Sequence, residues 1–234
     1  MSFFATIGQH LYDDFVVEGR YMYILQGLGN TVVITIFALI LGLALGVISS
    51  IINVFYANGK RGPLMRVLKV IVSIYITVIR GTPTVVQLMI MYFVILTSGS
   101  PLVIAILAFG INSGAYVSEV FRSGIQSVDY GQTEAGRSLG LSANQTMFKI
   151  VLPQAIKNVT PAIFNEFITL LKETSVSGYV GIQDLTKGGD IIRSITYDAF
   201  TPLLLVAGIY LVIVIGLTQI QHVVERRLQK SDRH

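Results

Sequence analysis

The residues from Thr31 to Phe55 read TVVITIFALILGLALGVISSIINVF, without one charged side chain among them. The hydrocarbon core of a bilayer is about 30 Å thick, and a helix needs roughly 20 mainly apolar residues to cross it. The stretch therefore predicts a spanning helix and sets the chain in a membrane. The whole composition agrees. Of the 234 residues, 53% are hydrophobic and 13% charged, and the mean hydropathy is +0.69. Soluble domains carry roughly 25% charged residues.

Four more apolar runs follow. The run from Leu64 to Val94 is too long for one span and breaks at Arg80-Gly81-Thr82-Pro83. Proline cannot donate a backbone hydrogen bond, and it turns the residue before it away from helix. Leu64 to Ile79 is read as a helix at the membrane boundary. The predicted fold is an all-α integral membrane protein in one domain, residues 1–234, with five spans at about 31–55, 83–96, 102–120, 161–176 and 202–223.

Basic residues set the orientation, because cytoplasmic loops carry an excess of them. Lys60, Arg61, Arg66, Lys69 and Arg80 lie between spans one and two. Arg122, Arg137, Lys149 and Lys157 lie between three and four, and Arg226, Arg227, Lys230 and Arg233 form the tail. Thirteen of the 17 thus fall on one side. The amino terminus is expected outside and the carboxyl terminus in the cytoplasm. Asp13, Asp14 and Glu18 stand where a cleavable signal would be basic, so the first span is expected to serve as its own insertion signal.

Catalytic classes find no support. The absence of cysteine excludes thiolate metal sites, disulfides and thiol nucleophiles. His10, His222 and His234 are isolated, and no metal or catalytic constellation is expected. The glycosylation-like triplets at 144–146 and 158–160 fall on the cytoplasmic side by this topology and read as chance matches. Small residues recur every fourth position at Ala38, Gly42, Gly46 and Ser50, and again at Gly110, Gly114 and Ser118. Such stripes let helix backbones approach closely in lipid, either inside one subunit or at a subunit interface. Five short spans make a thin bundle, and the chain has no internal repeat, so a dimer is expected.

The loop of about 129–153, between spans three and four, carries the functional signal. It reads as two short helices joined at Gly140, a residue that takes the left-handed conformation cheaply. Ser142 with Gln145 forms a capping box for the second helix, which ends or bends at Pro153. A helix-turn-helix reading would need cations for phosphates, and the second helix offers only Lys149. A docking knuckle for a cytoplasmic partner fits better, and no nucleic acid is expected.

Glu134-Ala135-Gly136, three residues, Gly140, nine residues, then Ile150-Val151-Leu152-Pro153 resembles the EAA loop of ABC-importer permeases. The departure is Gly136 in place of alanine, expected to weaken the first helix by about 1 kcal/mol. The flanking segments resemble the polar amino-acid (histidine, glutamine, arginine) branch of that family. They are Gln26-Gly27-Leu28, Arg80-Gly81-Thr82-Pro83, Tyr116 to Arg122, Asn165-Glu166-Phe167 and Leu171 to Ser175.

The resemblance implies a methionine-importer-type five-span core in a bacterial cytoplasmic membrane. It implies a docking loop that includes Glu134, Ala135, Gly136, Gly140, Leu141, Ser142 and Pro153. Its partners would be two ATPase subunits holding ATP and magnesium, a second permease chain, alike or related, an extracytoplasmic amino-acid-binding protein, and membrane lipid. The chain itself lacks the phosphate-cradling GxxxxGK[ST], since Gly59-Lys60 is followed by Arg61. No cofactor of its own is expected, and no catalysis.

Polar residues inside spans are costly and face a bundle interior or a watery path. Asn112, Glu119, Asn165, Glu166 and Lys172 are the substrate-path candidates. Hydrogen bonding within the fold is the competing role for each, and a Glu119–Arg122 pair is one form of it. The acids favour a basic amino acid, with another polar solute such as glutamine as the alternative. An ion-coupled secondary transporter is the rival from another class, and a membrane scaffold the third.

Overall fold

The computed structural model describes residues 8, 12–57, 59 and 61–230. Lys60, Arg233, His10 and His234, used in the counts above, lie outside these, as do the side chains of Asp14 and Lys230. Among the described residues every regular element is helical. Three helices are long and apolar enough to cross a membrane. They are α1 (Tyr21–Ala57), α4 (Pro101–Gln126) and α9 (Phe200–Lys230). The expected second span is a shorter apolar helix, Thr84–Ile95, built from α3 (Thr84–Ile90) and a π-helical turn, Met91–Ile95. Before it, α2 (Pro63–Arg80) starts on Pro63, the position where a missing donor costs nothing.

Several boundaries differ from the sequence reading, α4 running on to Gln126 and α9 to Lys230 past the expected 120 and 223. The first helix begins at Tyr21, ten residues before Thr31. The helix expected from 161 begins at Leu152, as α7 (Leu152–Glu173), with Pro161 inside it. Proline was read as a helix start, yet its ring is accommodated here, and its carbonyl accepts a 3.4 Å bond from Gln221 Nε2. A 3₁₀ segment, Thr174–Val180, then ends on Gly181 in the left-handed conformation, φ 78°.

The described residues fall into two compact units. One takes the chain up to Phe37 together with Thr84–Phe109 and Ile168–Thr218. Its core is Phe15, Ile24, Leu185, Ile192 and Val206. Here α8 (Leu185–Thr196) is capped by the buried Asp184, which accepts from the Thr186 and Lys187 amides at 2.7 and 3.0 Å. On its surface Asp190 accepts hydrogen bonds from Lys187 and Arg193, which hold its carboxyl below the usual range.

The first turns of α1 are bound to the segment before α8. Asn30 Nδ2 donates to Gln183 O at 2.9 Å, Gln183 Nε2 to Tyr23 O at 3.0 Å, and the Leu185 amide to Thr31 Oγ1 at 3.1 Å. A Cβ at Gly188 would stand 2.5 Å from Tyr23 O, so only glycine permits this approach.

The other unit comprises Ala38–Pro83, Gly110–Phe167 and the chain from Gln219. In it the two small-residue stripes meet. A Cβ on Gly42 would come 2.8 Å from that of Ser113, one on Gly114 2.8 Å from that of Leu45, and one on Gly46 would strike Val117. The stripes therefore serve helix packing within one subunit, α1 against α4.

Candidate functional site

The loop after α4 folds as its chemistry dictates. Asp129 accepts from the Gly131 amide at 2.6 Å and caps α5 (Tyr130–Ser138). Gly140 has φ 83°, the left-handed conformation expected of it. Ser142 and Gln145 form the full reciprocal capping box at the start of α6 (Ala143–Thr146). A π-helical turn, Met147–Val151, leads into α7. Its wider turn immediately precedes Pro153, where an α-helical donor would be missing. The chain therefore passes from α6 into α7 without a break in helical structure.

At the tip, Glu134, Ala135 and Gly140 are exposed, Leu141 is half-buried, and Leu139 is 81% exposed. The Arg137 guanidinium donates to Leu141 O at 3.0 Å and braces the turn. Leu139 thus stands exposed on a turn that Arg137 holds in place. Gly136 is buried, which sequence reasoning missed. A Cβ there would lie 2.8 Å from Thr146 Cγ2 and 2.9 Å from Ile150 Cδ1. The glycine is thus what lets α5 close on the helix after Gly140, whatever it costs α5 in propensity.

Behind the knuckle, an apolar cavity of about 440 Å³ is walled by Val47, Phe55, Phe121, Met147, Leu152 and Val159 among others. It offers a zwitterionic solute almost nothing to bind. The polar groups lie elsewhere in the unit. Asn112 is buried on α4, and the neighbouring Ser113 donates to Glu166 Oε1 on α7 at 2.8 Å. Asn165 is exposed. Glu119 accepts two bonds from Arg122, at 3.0 and 2.7 Å, and stands 3.6 Å from Arg80. The Arg80 guanidinium also covers the Tyr116 ring at 5.4 Å. Lys172 is exposed and belongs to the other unit. Of the five path candidates, Asn112 and Glu166 therefore occupy one locality, and Glu119 is engaged by arginines. Ser113 and Tyr116 were not foreseen. Among the described residues no group of three His, Asp or Glu could hold a metal.

Residues 63–230 match the family described as binding-protein-dependent transport system inner membrane component. The chain is 38% identical over 219 residues to the arginine transport system permease protein ArtQ of Bacillus subtilis, covering 90% of this chain and 94% of that one. It is 36% identical over 213 residues to the putative glutamine transport system permease protein GlnP of Rickettsia typhi (89% and 94%). It is 33% identical over 229 residues to the L-cystine transport system permease protein TcyB of Bacillus subtilis (96% and 94%). Among solved structures, an amino acid ABC transporter crystallised with histidines superposes with a TM-score of 0.82 at 35% identity, covering 97% of this chain and 99% of that one. The methionine transporter MetNI, inward facing, shares the fold at a TM-score of 0.75 and 21% identity (90% and 98%).

Proposed function

The chain belongs to the binding-protein-dependent transport inner membrane component family, and from that membership we propose how it works as the permease of an ATP-driven amino-acid importer. The family is one of transport subunits, not of catalysts, and the apolar helices α1, α4 and α9 supply its membrane span. In our reading five segments cross, with the amino terminus outside. Two copies, or two related chains, enclose the path. A binding protein delivers cargo from outside, and two ATPases holding ATP and magnesium dock from the cytoplasm.

One observation carries the docking assignment: the exposed turn Leu139-Gly140, braced by Arg137 and followed by a capped helix that runs directly into α7. A push on that turn is transmitted along α7, where Glu166 lies 14 residues beyond Leu152, roughly 21 Å at 1.5 Å per residue. ATP-driven approach of the two loops thus tilts the helices that carry Glu166, opening the path to one side and then the other. Glu166 and Asn112 line that path, with Asn165 and Lys172 as further candidates. The carboxylate of Glu166 suits the cation of arginine, lysine or histidine. Relatives named for glutamine support a neutral amide cargo as the second reading.

The test is co-purification with a co-expressed ATPase subunit. Wild type retains the ATPase, while Glu134→Lys and Gly140→Pro lose it. Retention by both variants would remove the docking role.

A further inference from the structure

The exposed part of α2 is divided into two sectors. Leu64, Val67, Ile71, Ile74 and Val78, spaced three and four apart, form one exposed apolar stripe. Beside it runs an exposed row of Arg66, Val70, Ser73 and Thr77, polar except at Val70 where it borders the apolar stripe, and the remaining face, with buried Val72, packs inward. A helix crossing the bilayer would show lipid an apolar surface throughout its exposed arc. A helix lying in the headgroup region has this split arc.

Its anchors agree. Lys69 Nζ donates to Asn53 Oδ1 on α1 at 2.6 Å, and Arg80 pairs with Glu119 on α4 at 3.6 Å. The helices α1 and α4 run parallel in this unit, with Gly42 against Ser113 and Gly46 against Val117. Continuing that register sets Asn53 level with about residue 124, some 7 Å along α4 from Glu119. The anchors are roughly 16 Å apart along α2 yet differ by less than half of that in depth. Between these anchors Tyr75 Oη donates to Ile111 O at 2.6 Å, which holds the middle of α2 inward, roughly 12 Å along α4 from Glu119.

Charge names the occupant. The sequence contains no aspartate or glutamate between Glu18 and Glu119, while Arg61 and Arg66 are exposed. We propose that α2 lies in the leaflet on the docking-loop side, its apolar stripe among the acyl chains and Arg61 and Arg66 on the phosphates of anionic phospholipids. That this leaflet is the cytoplasmic one rests on the orientation proposed above.

The cysteine-free sequence makes the test direct. Val67→Cys, Ile71→Cys, Ile74→Cys and Val78→Cys are each labelled with bimane in the complex with its ATPase, in nanodiscs with lipids brominated at known depths. One shared shallow depth is expected; a depth growing steadily from 67 to 78 would overturn the proposal. At Val67→Cys, brominated phosphatidylglycerol should quench in preference to brominated phosphatidylcholine, by roughly fivefold per arginine. Arg61→Gln with Arg66→Gln should abolish that preference; equal quenching, or a preference that survives, would remove the lipid site. In sealed vesicles without the ATPase, impermeant reagent should reach Ser73→Cys, on the polar stripe, and Leu139→Cys from the same face. If that face is the outer one, the orientation fails while the lipid site stands, and labelling from opposite faces sinks the proposal.

Discussion

Ser113 on α4 donates its hydroxyl to Glu166 on α7 at 2.8 Å, joining a buried serine to the acid proposed to meet cargo. A glutamine at 166 still offers an oxygen to that hydroxyl, so Glu166→Gln should leave the melting temperature nearly unchanged. What it removes is the charge. A hydrogen bond to a charged group is worth roughly 1.5–3 kcal/mol, so uptake of a basic amino acid into vesicles should fall about tenfold or more. Unchanged uptake with an unchanged melt would take Glu166 out of the path.

Gly136 reverses a sign. On helix propensity alone, Gly136→Ala should stabilise α5 by about 1 kcal/mol. The added methyl, however, meets Thr146, a β-branched side chain whose hydroxyl is held by Ser142 O at 3.0 Å and cannot swing aside cheaply. Overpacking costs about 1–3 kcal/mol, so the variant should open the knuckle and lose bound ATPase. Adding Thr146→Ala makes room, and the double variant should recover binding. A double variant no better than the single one would refute the steric account.

The knuckle was legible because its signals are local: a glycine past a helix end, and a serine three residues before a glutamine. The three long apolar helices were legible because apolar length is also local. What escaped depends on distant partners. Nothing near Pro161 in sequence says that its ring fits inside α7. Gln183 and Leu185 gave no sign that they hold the first turns of α1, because those contacts join residues more than 150 positions apart. The stripes of small residues announced a close approach without saying against what, and Gly42 opposite Ser113 supplies the answer.

Asp184 couples its unit to pH. It lies outside the apolar spans, and burial pushes its carboxyl upward, against the backbone amides that favour the charge. With the folded value above the unfolded one of about 3.9, its contribution is full below that pH and is lost as pH rises through the folded value. Asparagine caps a helix as well as aspartate does and never ionises. The melting temperature of Asp184→Asn relative to wild type should therefore rise between about pH 4 and pH 7. A constant offset over that range would mean that the buried carboxyl does not set the trend.

Glu119 separates a structural from a cargo role by an asymmetry among its partners. It is the shared anion for Arg122 and Arg80, so Glu119→Gln leaves two guanidinium groups facing one amide. Arg80→Gln leaves the Glu119–Arg122 pair, with its two bonds, in place. All three side chains are partly exposed, and exposed ion pairs contribute roughly 0–1 kcal/mol each. Glu119→Gln should thus lower the melting temperature more than Arg80→Gln, by a few degrees at most, and added salt should narrow the difference. If Glu119 also met cargo, its substitution would raise the KM for uptake while Arg80→Gln would not. Matching KM values with unequal melts would assign Glu119 to holding α2 against α4, and leave the cargo to Glu166.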